Sequence, residues 1–172
     1  TEYSIHAEHS FPTDFNGNAC SYLGSPYINN CDFKGAKYAL EHIMNTQLKP
    51  KVDYKEDNLM TFSQKEYKLA WSSSFADSGL IYLPDGCKEK SCPLHVAFHG
   101  CSQTIDDIGL DYVKGTGFLG LAESNDIIIL YPQVKTSSLT PFNPKGCWDW
   151  WGYSEVIPSP VSFTFPTNTG TQ

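Results

Sequence analysis

Apolar positions follow a helical period in one early stretch of the chain and gather into short continuous runs later. Over residues 33–48, Phe33, Ala36, Tyr38 or Ala39, Leu40, Ile43, Met44 and Leu48 recur at three- and four-residue steps, which predicts a helix with one buried face. Asp32, immediately before it, is the expected N-cap. Residues 1–9 alternate loosely, with Tyr3, Ile5 and Ala7 on one face, and predict a short strand that runs out into a loop at Ser10-Phe11-Pro12. Residues 14–30 are rich in Asn, Gly, Ser and Pro, and a loop of that length needs a tether inside a compact domain.

After Pro50 a charged connector leads to residues of strand character, Thr61, Phe62, Tyr67 and Trp71, whose limits the pattern does not set. Three strands are sharper: Gly79-Leu80-Ile81-Tyr82-Leu83-Pro84, closed by the turn Asp85-Gly86; Leu94-His95-Val96-Ala97-Phe98-His99; and Ile127-Ile128-Ile129-Leu130-Tyr131. Near-continuous apolar runs belong to strands covered on both faces, as in parallel sheets. Between the last two, Leu110, Val113, Phe118, Leu121 and Ala122 predict a crossover helix interrupted by glycines, hence a right-handed strand–helix–strand unit and an α/β fold. Residues 156–172 carry no charge and are crowded with Pro, Ser and Thr; they read as a loop or tail outside a single domain over residues 1–155.

Composition narrows the partners. Nineteen acids against twelve lysines, with no arginine, give a formal charge of −7 and no basic groove for phosphates, which argues against nucleic acid. No apolar stretch approaches the roughly 20 residues of a membrane span, so no membrane partner is expected. The 172 residues with 40% hydrophobic content suffice for one core. A start at Thr1, without Met or a charged-then-apolar leader, reads as a mature or cleaved product.

Six cysteines form an even set and favour disulfides, with fifteen formal pairings. Proximity suggests Cys20 with Cys31 across the long loop and Cys87 with Cys92 across a lysine-rich turn, which leaves Cys101 with Cys147. The competing arrangement is a metal site of His95, His99, Cys101 and Cys147, since alternate strand residues share a face; no close Cys-x-x-Cys pair supports it, and neither metal nor cofactor is expected.

The chemistry-bearing segment is Leu94 through Gln103, a strand running into His99-Gly100-Cys101-Ser102-Gln103. In α/β-hydrolases a loop at this place offers a backbone N–H to a developing oxyanion, and the Cys101 N–H is the candidate donor. A strand ending in His-Gly is a weak signal by itself, and its plainer reading is an ordinary strand end with a core histidine. Three stretches taken in order strengthen it: residues 94–103, Ile127 through Gln133, and Gly146-Cys147-Trp148-Asp149-Trp150 resemble consecutive motifs of polyhydroxybutyrate depolymerases and related secreted esterases. His9-Ser10-Phe11-Pro12-Thr13-Asp14-Phe15-Asn16-Gly17 is similar to the loop that holds that family's catalytic histidine, so the resemblance covers most of residues 1–153.

The usual hydrolase triad runs Ser, Asp, His, whereas here the histidine precedes the oxyanion strand. That order resembles the circularly permuted fungal-type depolymerase, and permutation is tolerated because domain termini often lie close together. The resemblance implies a secreted, extracellular serine esterase with His9 as general base and Trp150 as an aromatic wall for short hydroxyalkanoate esters of polymer or smaller substrates. It also implies that the Cys101–Cys147 bridge ties the tryptophan loop to the oxyanion turn. Trp148 and Trp151 are read as core or neighbours of the wall, and His6, His95 and His99 as incidental or supporting groups.

No Gly-x-Ser-x-Gly turn occurs in the chain, Gly24-Ser25 lacks its context, and Asp14 and Asp149 are poor substitutes for the triad acid. The expected picture is therefore the later part of a permuted α/β-hydrolase fold, inactive and edge-exposed alone, with Ser and Asp on a complementary segment of the same protein. The competing expectation is a non-catalytic binding or structural protein that keeps the fold.

Overall fold

The computed structural model describes residues 4–68 and 74–154. The expected strand over residues 1–9 lies partly outside them, as do Trp71 and the tail over 156–172. Where residues 5–8 are described they are not a strand; pairing starts later, at β1 (Phe11–Thr13), which is joined by β2 (Asn18–Ala19) and β3 (Ile28–Asn30) in a small parallel sheet ordered β1-β3-β2. Phe11, assigned to a loop by pattern, turns inward against Tyr112 and Phe118. The long loop is tethered by the Cys20–Cys31 bridge and by fully buried Asn29, whose Nδ2 donates to the carbonyls of Cys20 and Tyr22.

Helix α1 (Gly35–Met44) buries Ala36 and Leu40, while Tyr38 and Ile43 of the expected apolar face are exposed. Asp32 does not cap it. Its φ of 51° places it in the left-handed region two residues before the N-cap position, Lys34, which makes no side-chain capping bond. The competing principle is the turn that swings the chain away from β3, where the Asp32 N–H binds Asn30 Oδ1.

The second sheet holds β4 (Leu59–Ser63), β5 (Ser78–Tyr82), β6 (Leu94–Val96) and, after three helices, β7 (Ile128–Tyr131), in the order β4-β5-β7-β6. It is mixed rather than parallel throughout: β5 runs antiparallel to both β4 and β7, and β6 and β7 are the parallel pair. The crossover is broken into α2 (Ile105–Ile108), α3 (Asp111–Gly115) and α4 (Phe118–Asn125), with Gly109 and Gly117 at positive φ between them. Thr104 caps α2, its Oγ1 accepting from the Asp107 N–H.

The core lies where α4 covers β7. Tyr82, Ile129 and Tyr131 are fully buried with Leu119 and Ala122, and each large apolar side chain removed from water is worth about 1.5–3 kcal/mol. β6 is less buried than its sequence predicts, because it is an edge strand only three residues long; Leu94 and Phe98 are more than half exposed. The three disulfides are Cys20–Cys31, Cys87–Cys92 and Cys101–Cys147. They take up all six cysteines, so no thiolate remains for the metal arrangement, and its two histidines pack on different neighbours, His95 on Phe118 and His99 on Trp148.

Candidate active site

The turn after β6 is held from three sides. Tyr112 Oη donates to the Phe98 carbonyl at 2.8 Å, and His99, 2% exposed, donates from Nδ1 to the Gly100 carbonyl at 2.8 Å while Nε2 accepts from the Val134 N–H at 3.4 Å. That pair of bonds defines a neutral imidazole, and burial pushes its pKa below the usual value, so His99 is a strut and not a base. Gln133, immediately before Val134, accepts from the Ile105 N–H and fastens the start of α2 to the end of β7.

Within the turn the amides are sharply differentiated. The Gly100 N–H donates to Gln103 Oε1 at 2.8 Å, and the Ser102 N–H donates to the Lys145 carbonyl at 2.7 Å. The Cys101 N–H between them makes no hydrogen bond among the described residues, and Cys101 is exposed. Ser102 adopts a positive φ of 57°, which turns the chain sharply after Cys101. Gly100 matters for a different reason: a Cβ there would sit 2.7 Å from Gln103 Oε1, so a side chain at this position would displace the end of Gln103.

His9 is exposed and lies on a segment fixed at both ends, by Glu8 N–H to the Cys20 carbonyl at 3.1 Å and Phe11 N–H to the Tyr27 carbonyl at 2.8 Å. His9 and Cys101 line one open cleft of about 490 Å³, with Tyr27, Ser102, Gln103 and Lys145 on its walls. No acidic side chain bonds to His9 among the described residues. The cleft thus brings together an imidazole and a backbone donor, 92 positions apart in sequence, neither of which has a hydrogen-bond partner among the described residues.

The tryptophan loop joins the turn through the Cys101–Cys147 bridge. Trp148 is half-buried against Phe75, Phe98 and His99. Trp150 stands outside the cleft lining, 73% exposed and edge-on to Trp151 at 4.9 Å between ring centroids. Tyr27, Gln103 and Lys145 escaped the sequence reading. Gln103 had one local signal, a carboxamide three residues after a strand-terminal glycine, but its partners come from residues 26–27.

A sheet flanked by crossover helices, with a histidine and an amide-bearing turn facing one cleft, defines an α/β architecture of hydrolase type. No family model matches the sequence. The chain is 39% identical over 156 residues to the poly(3-hydroxybutyrate) depolymerase of Delftia acidovorans, covering 88% of this chain and 30% of that protein. It is 38% identical over 165 residues to the polyhydroxybutyrate depolymerase of Talaromyces funiculosus, covering 86% of this chain and 47% of the relative. Among solved structures, the PHB depolymerase from Penicillium funiculosum matches with a TM-score of 0.74 and 37% identity over 84% of this chain and 49% of that one. A serine-to-alanine variant of a PHB depolymerase in complex with R3HB trimer matches with a TM-score of 0.75 and 36% identity, over 86% and 51%. The chain belongs to the polyhydroxybutyrate depolymerase family, and it spans between about a third and a half of the length of the relatives it matches.

Proposed function

We propose that these residues form the base-and-oxyanion part of a secreted serine esterase that hydrolyses poly(3-hydroxybutyrate) or related short-chain hydroxyalkanoate esters. The observation that carries the reading is the Cys101 N–H, which has no hydrogen-bond partner among the described residues, lies between two paired neighbours and belongs to a residue lining the same cleft as His9. A donor left without a partner between two paired amides is preorganised for charge that develops only in the transition state. His9 takes the proton of a serine hydroxyl and later returns it to the leaving alcohol. Trp150, exposed on the loop tied to the turn by Cys147, supplies an apolar wall to the ester chain.

In this reading the serine and the triad aspartate come from a complementary segment of the same protein, outside these 172 residues, in a circularly permuted order. The exposed edge of β6, with Leu94 and Phe98, supports pairing to that segment. Residues 1–155 then form the later part of one hydrolase domain and 156–172 a tail, and the 172 residues alone are inactive.

The test is release of 3-hydroxybutyrate from the polymer and of p-nitrophenol from p-nitrophenyl butyrate by the full-length protein, alongside the 172-residue chain. Turnover by the full-length protein, blocked by a serine-directed phosphonate, is the expected result. A full-length protein that binds the polymer without cleaving either substrate would sink the reading and leave a non-catalytic binding protein.

A further inference from the structure

We infer that Gln103 is a positioning residue that sets the distance between the Cys101 amide and the His9 segment, an inference that rests on the ester-hydrolase reading of the cleft. The residue is 7% exposed, and its carboxamide uses both ends. Oε1 accepts from the Gly100 N–H at 2.8 Å, and Nε2 donates to the carbonyls of Pro26 at 2.8 Å and Tyr27 at 3.3 Å. The same Tyr27 carbonyl accepts from the Phe11 N–H at 2.8 Å, two residues after His9. One side chain therefore links the amide before the oxyanion donor to the carbonyl that anchors the base.

The linkage is specific to a carboxamide of this length. Only Asn and Gln offer an acceptor and a two-hydrogen donor from one planar group, and a glutamate would keep the acceptor but turn an anion toward two carbonyls. Satisfying the Gly100 N–H also removes the neighbouring amide as a competing donor to the Cys101 N–H. Gly100 completes the device, because a Cβ there would sit 2.7 Å from Gln103 Oε1 and push the carboxamide away. Neither group touches substrate in this arrangement; they fix where two others stand. Misplacement of reacting groups by about 1 Å is enough to cost on the order of 100-fold in rate.

The experiment uses the full-length protein and the variants Gln103→Glu, Gln103→Leu, Gly100→Ala and the Gly100→Ala/Gln103→Leu pair. On p-nitrophenyl butyrate, kcat is expected to fall at least about tenfold in each single variant with KM changed less than about twofold, the mark of a loss confined to the transition state. The double variant is expected to lose no more than the worse single one, because both changes break one strut. Amide hydrogen exchange reads the linkage directly: the Gly100 N–H should exchange at least about tenfold faster in Gln103→Leu and remain protected in Gln103→Glu, with Ile129 in the core unchanged. Additive losses in the double variant, or kcat within twofold of native in Gln103→Glu, would overturn the inference. A native protein without esterase activity would instead overturn the reading of the cleft; the exchange measurement then decides the strut alone, and unchanged Gly100 exchange in Gln103→Leu would sink it.

Discussion

The carboxamide of Asn143 grips the backbone of Cys147 twice, Nδ2 donating to its carbonyl and Oδ1 accepting from its N–H, both at 2.9 Å. Asn143 is fully buried, and its own backbone pairs with Ser137 in both directions, so the loop that carries Cys147 is clamped from within before the disulfide to Cys101 is counted. Asn143→Ala strands the buried Cys147 N–H, at about 1–3 kcal/mol, while the Cys147 carbonyl keeps its bond from Tyr153 Oη, and a loss of about 2 kcal/mol is expected. Urea unfolding checks it, as a lower midpoint at unchanged slope. Asn143→Asp keeps the acceptor and should recover part of the loss.

Trp148 and Trp150 should separate stability from binding. Trp148→Ala removes an indole packed on Phe98 at 4.8 Å and His99 at 5.5 Å between ring centroids, and is expected to cost about 2–3 kcal/mol. Trp150→Ala removes an exposed ring and should change stability by less than about 0.5 kcal/mol. If Trp150 is the substrate wall, KM for p-nitrophenyl butyrate or adsorption to polymer should weaken in the full-length protein. An unchanged KM and unchanged adsorption would remove it from the site.

The strands around the core are legible because their apolar runs exceed what a solvated segment carries: residues 79–84 hold all of β5 but its first residue, Ser78, while 94–99 contain β6 and 127–131 contain β7. Direction was not legible. An antiparallel β5 and a parallel β6 have the same apolar reading when both pack beside β7. Phe11 was misread because Pro12 beside it signals a break, although a proline at a sheet edge is harmless where its missing N–H has no partner to lose. Asp32 shows the converse, a good capping side chain overridden by a local turn. In the site, the strand running into a glycine turn singles out Cys101 and the motif resemblance singles out His9, but the bonds that hold them, from Gln103 to residues 26–27 and from Ser102 to Lys145, join distant segments and leave no periodic trace.

Acid should find its first weak point at His99. Burial holds its pKa, and that of half-buried His95, below the ordinary value of 6.5. Above 6.5 both folded and unfolded chains carry neutral imidazoles and the pair has no effect on the pH slope. As pH falls below 6.5, the unfolded chain takes up protons that the folded chain refuses, so stability declines toward the folded pKa, at up to about 1.4 kcal/mol per pH unit for each proton. His99→Gln, which can keep a donor and an acceptor in place, should flatten the decline between pH 6.5 and 5 relative to the native protein. Thermal or urea unfolding across that range is the measurement, and parallel curves for the two proteins would assign the acid sensitivity to the carboxylates instead.

His9 should be dispensable for folding and indispensable for turnover. Its side chain is exposed and makes no hydrogen bond among the described residues, while the segment around it is fixed by backbone bonds from Glu8 and Phe11 that any residue at position 9 preserves. His9→Ala should therefore leave the unfolding free energy within about 0.5 kcal/mol of native. In the full-length protein the same change removes the general base, and kcat on p-nitrophenyl butyrate is expected to fall by about 10²- to 10⁴-fold. Added imidazole, entering the open cleft that the missing side chain enlarges, should restore part of the rate in proportion to its unprotonated fraction. A His9→Ala protein that keeps its rate would assign the proton transfer to another group, and one that unfolds would mean that the ring is packed against the complementary segment before it does any chemistry.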